Sequence, residues 1–209
     1  TVLGPGGIGK TTLAVELAPW VARLREARLV VVDLERASTF AELCDRVLAA
    51  CGSTAGEPVA ALDALGAAVV VLDDFDALVS SSALAVREWS ERCAEIDIIV
   101  TSRARLGITG EAVYELGPLE QSAATSLLVE AARRTSIRYA PRPEDGGALA
   151  EIAATLEGMP LAVELAAARL PLLGARALAD ELRAGVVLER QGRGGPERHA
   201  SIAAAVRGS

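Results

Sequence analysis

Short runs of β-branched and aliphatic residues alternate with longer amphipathic segments over roughly the first half of the chain. Such runs are typical of parallel strands joined by crossover helices, and they become almost continuously apolar where both faces of the sheet are covered. The pattern predicts strands over residues 29–34, 68–73, 96–102 and 112–116. We therefore predict an α/β core with a parallel sheet and helices on both faces.

The first helix of this core is predicted to begin at Lys10. Apolar residues then recur at spacings of three and four, which is the periodicity of one helix face. We expect this helix to bury Leu13, Leu17, Val21 and Leu24.

After about Gly117 the β-branched runs stop and the apolar positions follow a helical period. Helices are predicted over residues 120–135, 147–157, 160–173 and 175–183, with loops over 139–147 and 191–196. The predicted domains are an α/β core over 1–117, an all-helical lid over 118–190, and a further segment over 191–209.

Composition narrows the range of partners. A formal net charge of −7 disfavours direct binding of a nucleic acid by this chain, and its apolar stretches are too short to span a membrane.

The three cysteines, Cys44, Cys51 and Cys93, form no metal-binding spacing, and their odd number favours a reducing, cytoplasmic location. We expect them to be small buried residues. The chain starts just before a glycine-rich segment without an initiator Met, so we expect it to belong to a longer protein.

Residues 4–11 match the phosphate-binding pattern GxxxxGK[ST], also called Walker A, between an apolar run and a helix start. Glycines let successive N–H groups turn towards phosphate, and the helix N-terminus adds partial positive charge. Lys10, the only lysine in the chain, is expected to neutralise the β- and γ-phosphates. The predicted nucleotide-binding residues of this segment are Gly4, Gly6, Gly7, Ile8, Gly9, Lys10, Thr11 and Thr12.

A second element ends the apolar run 69–72 with two acids, as a Walker B motif does. Parallel strands present their carboxyl ends at the edge where the phosphate loop also lies. Thr11 and Asp73 are therefore predicted to hold Mg²⁺, and Asp74 to orient or deprotonate the attacking water. Asp76 is expected to be a helix cap or a solvated turn residue. An ordinary acidic turn after a strand is the alternative.

The strand predicted over 96–102 ends in a pair of hydroxyl residues followed by Arg103. A guanidinium is a planar fork of donors that suits phosphate oxygens, so Arg103 is a candidate sensor of a γ-phosphate. A plain surface charge is the alternative at this position.

Taken in order, the segments 4–12, 70–74, 98–103 and 158–162 resemble the NB-ARC class of signal-transduction ATPases, part of the STAND group found in large bacterial transcriptional regulators and TPR-repeat proteins. The last segment is similar to the GLPLA motif of that family, with Met159 in place of leucine. The resemblance implies that Pro160 contacts the adenine or ribose, that Arg103 reads the γ-phosphate, and that a winged-helix region begins within 191–209.

The resemblance also implies a function. A nucleotide-dependent switch would bind ATP or ADP with Mg²⁺ between core and lid, hydrolyse ATP slowly, and act on other domains of the same longer chain or through nucleotide-dependent homo-oligomers. Two alternatives stay open, a P-loop kinase that phosphorylates a small molecule and a scaffold that uses ADP as a structural cofactor. GTP is less favoured because no NKxD element is found.

Overall fold

The computed structural model describes residues 1–53 and 56–185, which form two compact units. The α/β unit comprises Thr1–Pro5 and Gly9–Leu116, and the helical unit comprises Gly6–Ile8 and the described residues that follow Leu116. The end of the predicted lid, the predicted loop over 191–196 and the predicted winged-helix start all lie outside the described residues.

The α/β unit is built on a parallel sheet, as the sequence predicts. Its strands within the described residues are β1 (Val2–Leu3), β2 (Arg28–Asp33), β3 (Ala68–Asp73), β4 (Ile96–Ser102) and β5 (Tyr114–Glu115), in the order β2-β3-β4-β1-β5. The predicted bounds of β3 and β4 are confirmed, whereas β5 is shorter than predicted. The phosphate-loop segment follows β1 directly.

Helices cover both faces of the sheet. They are α1 (Lys10–Leu24), α2 (Phe40–Ala50), α3 (Pro58–Asp63) and α4 (Val79–Arg92). On one face, Val69 and Val71 of β3 pack against α1. On the other face, Val70 and Leu72 join a larger core that includes residues of α2, α3 and α4. The central strand β3 is therefore enclosed on both sides.

Helix α1 begins where predicted, but the prediction of its buried face is wrong. Leu17 and Leu24 are 37% and 67% exposed, whereas Ala14, Ala18 and Ala22 are buried against the sheet. Alanine side chains let the helix backbone approach the valines of β3 closely, and the larger leucines are left to one side. Leu13 and Val21 are only partly buried.

Strand β2 lies at an edge of the sheet, and one of its faces is open. Leu29 and Val31 are 38% and 46% exposed, although their register partners Val69 and Val71 are fully buried. The expectation that both faces are covered is thus right for β3 and wrong for β2.

The helical unit contains α5 (Gln121–Thr135), α6 (Gly146–Thr155), α7 (Pro160–Ala167), α8 (Leu170–Leu173) and α9 (Ala175–Arg183). The single helix predicted over 160–173 is two helices, because Pro171 has no N–H with which to continue the hydrogen-bond ladder. The core of the unit is rich in alanine and contains Leu128, Ile152 and Val163. Within the same unit, the N–H of Leu161 donates to the carbonyl of Gly7 at 3.1 Å.

No helix in the described part of the chain is both long enough and apolar enough to cross a membrane. All three cysteines are free. Cys93 is buried as expected, whereas Cys44, on α2, and Cys51, just after α2, are only partly buried.

Candidate nucleotide-binding site

The phosphate-loop segment has the backbone that the motif requires. Gly7 and Gly9 adopt φ values of 78° and 98°, a region that side chains disfavour. Gly9 caps the N-terminus of α1 without a side-chain cap, and the first turn contains no acid. The first N–H groups of α1, at Lys10, Thr11 and Thr12, therefore have no partner within the helix and can bind an anion.

Lys10 lies over the start of this segment. Its Nζ donates to the carbonyl oxygens of Gly4 and Pro5 at 2.9 and 3.1 Å. Burial lowers the pKa of Lys10, while the carboxylates of Asp76 and Asp74 act in the opposite direction. The ammonium is thus held where phosphate oxygens could replace carbonyl acceptors.

Thr11 and Asp73 come together as the sequence predicts for a metal-binding pair. The hydroxyl of Thr11 donates to Oδ1 of Asp73 at 2.8 Å, across 62 residues of sequence. Hydroxyl and carboxylate oxygens are ligands that Mg²⁺ prefers, and a protein commonly supplies only one or two of them beside phosphate and water. These two residues fit that role, although no group of three or more acidic, Cys or His residues that could hold a metal occurs among the described residues.

Thr101, at the end of β4, fixes both acids of the Walker B-like segment. Its hydroxyl donates to Oδ1 of Asp73 at 2.6 Å and accepts the N–H of Asp74 at 2.9 Å. Its carbonyl accepts the N–H of Phe75 at 3.0 Å. Since Thr101 is only 1% exposed, the turn after β3 is anchored from within the sheet. The sequence indicated a hydroxyl here but not its partners.

Asp74 combines an unusual backbone conformation with a raised pKa. It adopts φ 64°, a conformation that aspartate tolerates better than most residues. Burial raises the pKa of Asp74, and the nearby carboxylates of Asp76 and Asp73 raise it further, against the opposing charge of Arg103. A raised pKa makes a carboxylate a stronger base.

Asp76 is neither the helix cap nor the solvated turn residue that the sequence suggested. Its side chain is 16% exposed, against 60% for that of Arg103. Oδ1 of Asp76 accepts the hydroxyl of Ser102 at 3.1 Å and the N–H of Arg103 at 2.5 Å, and Oδ2 accepts Nε of Arg103 at 2.6 Å. Burial alone would raise the pKa of Asp76, but the hydrogen bonds from Arg103 and Ser102 lower it. A single acid next to the Walker B-like pair gave no sequence signal for this ion pair.

Pro160 lies in the helical unit, at the first turn of α7 after Met159 as N-cap. A proline is favoured there because its missing N–H has no helical partner to lose. Its contact with a base or ribose remains a prediction.

No protein-family model matches the chain. A Mycobacterium tuberculosis protein named "Putative HTH-type transcriptional regulator" is 30% identical over 189 residues, which cover 87% of this chain but only 21% of that protein. The chain thus spans about a fifth of the length of that relative.

Solved structures share the fold. A chain from a structure of Drosophila ORC bound to DNA has a TM-score of 0.64 at 13% identity, covering 92% of this chain and 63% of that one. Cdc6p from Pyrobaculum aerophilum has a TM-score of 0.56 at 18% identity, covering 88% of this chain and 55% of that one. At these identities the likeness concerns the fold alone, an α/β sheet with helices followed by a helical part.

Proposed function

We propose that the chain binds ATP or ADP with Mg²⁺ at residues 4–12 and acts as an NB-ARC-like switch module of a larger regulatory protein. The observation that carries the proposal is the hydrogen bond between Thr11 and Asp73. It joins the phosphate loop to the carboxyl end of β3, where a magnesium-binding carboxylate is needed.

The phosphates would occupy the N-terminal turn of α1. Its unpaired N–H groups and Lys10 supply positive charge, and Lys10 exchanges the carbonyls of Gly4 and Pro5 for phosphate oxygens. Thr11 and Asp73 would hold Mg²⁺, which neutralises the phosphate charge.

Asp74 and Arg103 would respond to the γ-phosphate. Asp74 orients or deprotonates the attacking water, and Arg103 pairs with the terminal phosphate oxygens. A ligand shifts a conformational equilibrium only if it binds one conformation more tightly than the other. Asp74 and Arg103 are therefore the groups through which ATP and ADP would favour different conformations. We expect slow hydrolysis that resets the switch.

The remaining parts of the proposal come from the family resemblance. Residues 1–117 would form the nucleotide-binding core and 118–190 the lid, with Pro160 touching the base or ribose. The name of the mycobacterial relative supports a role in transcriptional regulation, exerted through other domains of the longer chain. Cytoplasmic location and nucleotide-dependent self-assembly belong to the same proposal.

Titration of the purified chain with Mg·ADP and with Mg²⁺ and a non-hydrolysable ATP analogue tests the proposal. We expect saturable binding of both in the wild type and loss of about 100-fold in affinity in Lys10→Ala, because a charge-assisted contact to phosphate is removed. Arg87→Ala is the matched control, since it removes one positive charge from an exposed pair on α4. Equal affinities in wild type and Lys10→Ala would contradict the proposed site.

A second measurement separates a switch from a kinase. Hydrogen exchange of the chain saturated with ADP or with the ATP analogue should differ if the two nucleotides favour different conformations. Identical protection in both states, together with transfer of the γ-phosphoryl group from ATP to an added small-molecule acceptor, would favour the kinase.

A further inference from the structure

The side chain of Asp76 has no assigned role in nucleotide binding, yet it makes the densest set of polar contacts in the candidate site. It lies at the start of a short 3-10 turn, Asp76–Leu78, just after β3. One carboxylate accepts the backbone N–H and Nε of Arg103 together with the hydroxyl of Ser102. Backbone and side chain of the same arginine are thus fixed by one acid.

The hydrogen bond to Asp76 fixes the guanidinium of Arg103 by one edge only. Asp76 binds the Nε edge of Arg103, and within the described residues no acceptor is bound to Nη1 or Nη2. Four N–H donors therefore remain available on the exposed edge of a guanidinium whose other edge is fixed. A fork of donors that is already ordered loses less entropy when it binds an anion.

The guanidinium of Arg103 and the carboxylate of Asp76 are both near enough to Lys10 to act on its charge. The carboxylate of Asp76 raises the pKa of Lys10 and the guanidinium of Arg103 lowers it. The charges of Lys10, Asp76 and Arg103 therefore interact with one another. Asp73, Asp74 and Asp76 would together repel an incoming phosphate. The ion pair with Arg103 neutralises one of these acids.

We propose that Asp76 is a positioning residue that holds Arg103 by its Nε edge, so that the Nη groups can bind the terminal phosphate of ATP. The inference rests on the proposed function and deepens it, because it names the residue on which the contact of Arg103 with the terminal phosphate of ATP depends. Asp76 touches no reacting atom, and it acts through Arg103.

The test is a double-mutant cycle on the 209-residue chain. The affinities for Mg·ADP and for Mg²⁺ with a non-hydrolysable ATP analogue are measured in the wild type, Asp76→Asn, Arg103→Ala and the double variant. We expect each single variant to reduce the ratio of ATP-analogue affinity to ADP affinity by about tenfold, as loss of a charge-assisted hydrogen bond does. The double variant should reduce the ratio no further, because Asp76 acts only through Arg103.

Asp97→Asn is the matched control. It breaks another aspartate–arginine pair of the α/β unit, with Arg25 at 2.8 Å, and should leave the ratio unchanged. An unchanged ratio in Asp76→Asn, or additive effects in the double variant, would overturn the role of Asp76 while leaving the proposed function intact. A wild-type chain that binds neither nucleotide would overturn both.

Discussion

Two neighbouring strands of the sheet have almost the same sequence and different surroundings. β2 reads RLVVVD and β3 reads AVVVLD, and their terminal residues Asp33 and Asp73 are register partners. Asp73 accepts the hydroxyls of Thr11 and Thr101, whereas Asp33 accepts the N–H of Glu35 in its own turn at 2.9 Å. An aspartate at the same register position thus belongs to the candidate site in β3 and stabilises a local turn after β2.

The difference follows from the position of each strand in the sheet. β3 is central and pairs with β4, which brings Thr101 to its carboxyl end, while β2 is at the edge and, among the described strands, pairs with β3 alone. The neighbours of a strand, more than its own residues, therefore decide whether its terminal carboxylate can take part in a site.

The largest expected effect is a contrast between the two aspartates. Asp73→Asn should weaken binding of ATP with Mg²⁺ by about 100-fold, because a metal ligand or its water-mediated equivalent is lost. Asp33→Asn, the matched control, should bind as the wild type does. Titration of ATP with Mg²⁺ and in the presence of EDTA measures both.

The EDTA series makes this test specific to the metal. Asp73→Asn should differ little from the wild type when Mg²⁺ is absent. Equal loss in both aspartate variants would mean that the two strand ends are not functionally distinct.

The next contrast concerns packing. Val31 and Val71 are register partners, but Val71 is fully buried and Val31 is 46% exposed. Val71→Ala should lower the free energy of unfolding by about 2 kcal/mol, since it leaves a cavity under α1, and Val31→Ala by less than about 1 kcal/mol. Urea unfolding of both variants gives the comparison, and similar losses would show that the open face of β2 is covered in solution.

A smaller effect is expected at Thr101. This residue binds the turn that follows β3. Thr101→Val should lower the free energy of unfolding by about 1.5 kcal/mol, because it leaves the partly buried N–H of Asp74 without its acceptor. Thr101→Ser keeps the hydroxyl and should cost less than Thr101→Val. If the serine variant is the less stable of the two in urea unfolding, the methyl group and not the hydroxyl holds the turn.

The smallest effect is a pH dependence at Asp74. Its pKa in the folded protein is raised, first by burial and then by Asp76 and Asp73, against Arg103. The folded state therefore binds the proton more tightly than the unfolded state, and stability falls as pH rises above the ordinary value of 3.8. Asp74→Asn removes this penalty and tolerates the same backbone conformation.

Urea unfolding without nucleotide from pH 3.5 to 8 tests the sign. The wild type should lose stability relative to Asp74→Asn as pH rises, with little change in the difference below 3.8. A difference of the opposite sign would mean that Asp74 is stabilised as an anion.

The sequence predicted the elements whose signal is local. The bounds of β3 and β4 follow from runs rich in Val and Ile, and the start of α1 follows from the glycine motif. The prediction of the buried face of α1 was wrong because alanine is only weakly hydrophobic and so gives little signal in the sequence pattern. Its small size nevertheless lets the helix approach the sheet closely.

The site was predicted in part for a similar reason. Thr11 and Asp73 could be paired because two motifs with known roles implied the contact. The partners of Asp76 and Thr101 lie 25 or more residues away and depend on the β3–β4 pairing, so residue type alone did not reveal them.

The most direct test of the central claim is the nucleotide content of the purified chain. The protein is denatured and the supernatant is chromatographed, alongside Lys10→Ala and the charge-matched control Arg87→Ala. We expect close to one ADP or ATP per wild-type and Arg87→Ala chain, or stoichiometric binding of added ATP with Mg²⁺, and loss of both in Lys10→Ala. A wild-type chain that is empty and binds no added ATP with Mg²⁺ would contradict the claim.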